Sequence, residues 1–141
     1  MLCVEDYIDA LQWAKSIGGL DGLVARADAN FKVIDDFVAR SDWAAHLAVV
    51  PQTRSNTSVC LSIVDPDFTA LSEDAQAAFA KAMVSALDKE GVAFDIGAYR
   101  DAPAGLRIWT GATVETSDLE ALMPWLDWAF AKEKAALTAA A

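Results

Sequence analysis

A single histidine, His46, and two cysteines, Cys3 and Cys60, leave little material for metal or nucleophilic chemistry in a chain of 141 residues. The cysteines lie far apart and lack a CxxC spacing, so neither a zinc site nor a disulfide framework is expected, and both read as reduced residues packing as small hydrophobes. A Ser or Cys nucleophile needs a base beside it, and His46 stands alone at the mouth of an expected strand. Basic residues are also scarce. Eleven Lys+Arg against 21 Asp+Glu give a net charge of −10 and a pI near 4.3. Binding to a phosphate backbone rests on Lys and Arg displacing counterions, so nucleic acid and anionic membrane are not expected as partners. The acids are spread along helix surfaces rather than gathered, which reads as a solvated face and not a metal centre. No apolar run reaches the roughly 18 residues that a membrane span needs, and the mean hydropathy of +0.25 comes from alanine-rich helices. Glu5 and Asp6 stand where a secretory leader would carry basic residues, so a cytoplasmic location is expected.

What is present is enough apolar material for one core. At 55% hydrophobic residues, a chain of this size can remove about two-thirds of its unfolded surface from water, and residues 1–141 read as one domain. Val4, Ile8, Leu11 and Ala14 recur at helical spacing over about 4–17, and Gly18-Gly19 supplies a left-handed stop. Gly18-Gly19-Leu20-Asp21-Gly22 lacks the spacing of a phosphate loop and reads as a helix junction. A second helix carries Leu20, Leu23, Val24, Ala27, Phe31, Ile34 and Val38 on one stripe and ends near Ser41. Leu47 to Val50 and Thr57 to Val64 read as two strands joined antiparallel through a turn-rich segment, after which Asp65-Pro66-Asp67 breaks the sheet.

Ser72 caps a third helix with Ala75, Ala78, Phe79, Ala82, Met83, Ala86 and Leu87 inward, closed by Gly91. A weak strand over Val92 to Ile96, a loop from Gly97 to Gly105 and a strand from Leu106 to Thr110 follow. Ser117 and Glu120 have capping-box spacing for a last helix, which Pro124 is expected to kink or delay, with a frayed tail from Lys132. Trp125 and Trp128 on it read as core or interface. The class is α+β: a small, mainly antiparallel sheet with helices packed on one face and the other face uncovered.

Because cations are few, their placement carries information. Arg100 lies in the loop before the last strand and Arg107 on the strand itself, with Asp101 as the nearby acid. Leu106 and Ile108 must share one strand face, so if they meet the helices Arg107 looks out over the open one. Two guanidinium forks seven residues apart suit a doubly anionic small molecule, since each can grip carboxylate or phosphate oxygens bidentately. Two surface arginines serving solubility is the other reading of the same pattern.

Three segments carry a resemblance. Trp13-Ala14-Lys15-Ser16-Ile17-Gly18-Gly19-Leu20, then Arg54-Ser55-Asn56-Thr57-Ser58-Val59, then Tyr99-Arg100 followed by Gly105-Leu106-Arg107-Ile108-Trp109 resemble, in that order, the C-terminal part of the phosphoserine aminotransferase family. The resemblance spans about Val4 to Phe130. It implies the small domain of the aspartate aminotransferase fold, from a pyridoxal-phosphate enzyme that converts 3-phosphohydroxypyruvate and glutamate to phosphoserine and 2-oxoglutarate in serine synthesis. It further implies that Arg107 binds the substrate α-carboxylate, that Arg100 contributes to holding the phosphate, and that the whole enzyme is a homo-oligomer. Tyr99 stands where the family has His, and the two arginines are one residue further apart than in the family.

Transamination also needs a Schiff-base lysine, an acid on the pyridinium nitrogen and a phosphate cradle, which the family places in its large N-terminal domain. The six lysines here all fall on expected helices, most on polar faces, where nothing desolvates an amine. The expectation is a small domain that supplies substrate contacts, holds no pyridoxal phosphate and is inactive alone. Two alternatives remain: a free-standing small-molecule-binding or regulatory α/β module, and the small domain of a related aminotransferase with a non-phosphorylated substrate, for which Arg107 persists and Arg100 is incidental.

Overall fold

The computed structural model describes residues 1–99 and 101–140. Two helices open the chain, α1 (Leu2–Ser16) and α2 (Gly19–Arg40). Between them Gly18 and Gly19 take φ of +105° and +66°, a left-handed corner that β-carbon sterics forbid to most residues. Three strands follow in an antiparallel sheet of order β1-β2-β3: β1 (Ala44–His46), β2 (Ser58–Ile63) and β3 (Gly105–Trp109). The short α3 (Pro66–Thr69) and the longer α4 (Glu73–Lys89) lie between β2 and β3, and α5 (Thr116–Ala140) closes the described chain.

The helices and the inward faces of the strands share one core. Alternation along β2 buries Val59, Leu61 and Ile63, and on β3 it buries Leu106 and Ile108. Ile34 and Phe37 of α2, Met83 and Leu87 of α4, and Leu126 and Ala129 of α5 meet them. Each large side chain so buried contributes about 1.5–3 kcal/mol relative to leaving it in water. Trp43 stacks on Phe130 with centroids 4.6 Å apart and donates its indole N–H to Asp127 at 2.8 Å, so its polar edge is satisfied. The outward faces of β2 and β3 carry Ser58, Cys60, Ser62, Arg107 and Trp109, none of them buried. The α+β class, with helices on one sheet face and the other left open, is therefore as expected.

Several local expectations were displaced. The first strand is Ala44–His46 rather than 47–50. Leu47, Val49 and Val50 are exposed, because the buried positions Ala44 and His46 pair with Ile63 and Leu61, and Pro51 opens a 3-10 turn over Pro51–Thr53. The buried stripe of α2 is Ala27, Asn30, Ile34 and Phe37, whereas Leu20 and Val24 face water. In α4 Ala80 takes the inward place expected for Ala78. Asp65 does more than break the sheet: its carboxylate caps α3 by accepting from the N–H groups of Asp67 and Phe68. Val92 to Ile96 forms no strand; only Gly97 bridges to Leu106. Finally, α5 begins at Thr116, so Ser117 sits inside the first turn instead of capping it, and Pro124 lies within the helix rather than delaying its start.

Candidate functional site

The four arginines among the described residues fall into distinct environments, and these separate structure from site. Arg26 on α2 donates Nε to the Ala112 carbonyl at 2.7 Å and Nη2 to Glu115 at 2.7 Å. Arg54 donates Nε to the Ala48 carbonyl at 3.1 Å and Nη1 to Asp35 at 3.4 Å. Both forks are occupied in fastening loops to α2. Arg40 lies over the Phe37 ring at 5.4 Å. Arg100 lies outside the described residues. Arg107 is different: among the described residues its guanidinium has a single charged neighbour, Asp95, at 3.5 Å.

Strand alternation puts it there. Leu106 and Ile108 are buried among the helices, so Arg107 between them emerges on the open face, opposite Cys60 in the β2 register. Gly105 at the start of β3 is required by contact, since a β-carbon there would sit 2.2 Å from the Leu61 carbonyl oxygen. Around Arg107 a surface cavity of about 430 Å³ is lined by Ser58, Phe94, Asp95, Trp109 and Asp118 among others. An arginine half exposed beside an aromatic ring, with most of its donors uncommitted, can take a planar anion bidentately. The acid expected beside the arginines was Asp101; Asp95, hidden within an apolar run, is the one that faces Arg107. Its signal in the sequence was an acid at an alternate position of that run.

The other chemistry-bearing residues form structural contacts. His46, its side chain almost wholly buried, bonds through Nε2 to Asp35 at 2.9 Å and stacks on Phe31. Cys60 lines the same 300 Å³ cavity as His46 and Arg54, but no hydrogen bond joins His46 to a thiol or hydroxyl among the described residues. Among these residues no three metal-ligating groups converge. Lys134 of α5 bridges Asp65 and Asp67, binding the end of the helix to α3. Burial pushes the Asp65 carboxyl up, but the Lys134 ammonium and the N–H groups of Phe68 and Asp67 outweigh it and hold the pKa below the ordinary aspartate value. The same bonds to Asp65 and Asp67 raise Lys134.

The lysines do not fit a pyridoxal-phosphate site. Lys15, Lys32, Lys81, Lys89 and Lys132 are exposed and Lys134 is held protonated by carboxylates, the reverse of the desolvated amine such a site needs. No described helix is long and apolar enough to cross a membrane.

No family model matches the chain. Two curated relatives, phosphoserine aminotransferases of Methanosarcina barkeri and Methanosarcina mazei, are each 45% identical over 130 residues, which is 92% of this chain and 32% of theirs. The chain thus spans about a third of the length of the curated relatives it matches. Among solved structures, phosphoserine aminotransferase from Bacillus circulans subsp. alkalophilus superposes with a TM-score of 0.69 at 20% identity, covering 86% of this chain and 30% of that one. Another phosphoserine aminotransferase, studied for radiation damage of its Schiff base, superposes at 0.68 with 16% identity. In sequence along nearly its whole length, and in fold over most of it, this chain is similar to about one third of phosphoserine aminotransferase.

Proposed function

We propose that residues 1–141 form the small, C-terminal domain of a cytoplasmic, homo-oligomeric phosphoserine aminotransferase, supplying substrate contacts to a cofactor held elsewhere. In this reading Arg107 grips the α-carboxylate shared by glutamate and phosphoserine, and Arg100 contributes to holding the phosphate. The observation that carries it is an arginine with uncommitted donors on the open sheet face, in a chain 45% identical to phosphoserine aminotransferases over 92% of its length. Two features support it. The lysines leave no place for the Schiff base, so pyridoxal phosphate would be held by the remaining two-thirds of such an enzyme. And α1 buries none of its residues, leaving Tyr7, Ile8 and Leu11 exposed as a surface for that larger part to cover.

A chimera tests the reading, with this chain replacing the matching third of the Methanosarcina barkeri enzyme. It should transaminate phosphoserine, while the chain alone mixed with pyridoxal phosphate should show neither activity nor a visible band removable by one lysine substitution. In the chimera Arg107→Ala should lower kcat/KM for glutamate and phosphoserine alike, by about 2–4 kcal/mol in transition-state binding. Arg100→Ala should weaken phosphoserine and spare glutamate, which has no phosphate. Equal losses for both substrates with Arg100→Ala would refute its assignment to the phosphate. A chimera that folds and binds cofactor but prefers a non-phosphorylated substrate would instead favour a related aminotransferase.

A further inference from the structure

We propose that Asp95 is a positioning residue for Arg107: an internal carboxylate that holds one arm of the guanidinium until a substrate carboxylate displaces it, and so sets how tightly substrate is taken. The proposal rests on the reading of Arg107 as the α-carboxylate site.

The placement of Asp95 is built into the backbone. After α4, Ala93 and Ile96 turn inward and are buried, while Phe94 and Asp95 turn out. The Arg107 N–H donates to the Ile96 carbonyl at 2.8 Å and Gly97 bridges to Leu106, so the end of this segment is fastened along β3. That fastening delivers residue 95 to the side chain of residue 107. Asp95 is also the one non-glycine position with positive φ among the described residues, at +52°, a left-handed conformation that Asp and Asn tolerate better than other side chains.

The contact has the strength of a competitor rather than a lock. It is one approach of 3.5 Å between a half-exposed guanidinium and a carboxylate whose side chain is 94% exposed. Exposed pairs of this kind shift an equilibrium by no more than about fivefold. A substrate carboxylate offers two parallel hydrogen bonds in exchange for one loose ion pair, so it can displace Asp95, at an affinity lowered by the competition. Asp118 shares the cavity and adds to its negative potential without being paired to Arg107 among the described residues.

The full 141-residue chain carries the test. The Arg107 Nε–H and Trp109 indole N–H resonances are followed by NMR during titration with L-glutamate and, separately, O-phospho-L-serine. Asp95→Asn keeps the shape and the backbone conformation but removes the charge; it should tighten both ligands about two- to fivefold at low ionic strength, with the gain shrinking as salt is added. Asp9→Asn on α1, which removes an equal charge outside the cavity, should change nothing. Unchanged or weaker binding in Asp95→Asn, with binding abolished by Arg107→Gln, overturns the role of Asp95 and leaves that of Arg107 standing. Binding that survives Arg107→Gln, read at Trp109, overturns the carboxylate site itself and the proposal with it.

Discussion

Arg26 and Arg107 show what a fold does with the same side chain on opposite sides of one sheet. Near the end of β3, Arg26 and the buried Asn30 close the turn into α5. The Asn30 amide donates to the carbonyls of Thr110, Gly111 and Val114, and its oxygen accepts from Thr116 at 2.7 Å. Arg26 completes the turn at Ala112 and Glu115. The Asn30 amide and Arg26 Nε there answer backbone carbonyls that would otherwise lack a partner, so the region is structural. On the open face Arg107 answers only an exposed aspartate, and its removal leaves nothing orphaned. The difference teaches that a guanidinium is available for a ligand where the protein's own carbonyls do not use it.

The contrast can be broken from its structural side first. Leu126→Ala, at a fully buried position of α5, should cost about 2–5 kcal/mol by lost transfer energy plus the cavity left behind, measured by urea unfolding. Asn30→Ala leaves three carbonyls and the Thr116 hydroxyl short of a partner and should cost about 1–3 kcal/mol. A loss near zero would mean that water substitutes for the amide. Lys134→Met should lower the melting temperature around neutral pH. Asp65 is depressed, so its contribution is present above the ordinary aspartate pKa and is lost as pH falls through the depressed one; Lys134 is raised, so its contribution is present below the ordinary lysine pKa and is lost as pH rises through the raised one. The melting curves of parent and variant should therefore converge in strong acid and again in strong alkali. Smallest of all, Arg107→Gln and Leu11→Ser on the uncovered face of α1 should each stay within about 0.5 kcal/mol of the parent. A large destabilisation by Arg107→Gln would move that arginine into the structural group.

The periodicities of the sequence were sufficient wherever one physical effect dominated. Alternation in 58–63 fixed which residues of β2 face the core, because a strand buried on one side has no other way to satisfy its apolar set. The same alternation predicted Arg107 on the open face, and Ser72 was legible as a cap because its hydroxyl meets a local N–H, Ala75, three residues on. The first strand was misplaced because Leu47 to Val50 is more apolar than Ala44 to His46, and pairing to β2 overrode composition. Phe37 and Asn30 were missed on α2 because its buried stripe is set by contact with α5 and the turn leading into it, distant in the chain.

Charge balance, helix spacing, strand alternation and the uncovered sheet face were thus determined by local order alone, since each depends on residues within a few positions of one another. That Arg26 and Arg54 are consumed in structural bonds while Arg107 meets only an exposed aspartate among the described residues, that Asp65 joins Lys134 across 69 residues of chain, and that Asp95 rather than Asp101 faces Arg107 were decided by tertiary structure. Those outcomes depend on which backbone groups remain unpaired when the elements pack, and on where a loop is fastened to a strand edge. Neither is encoded at any single spacing along the chain.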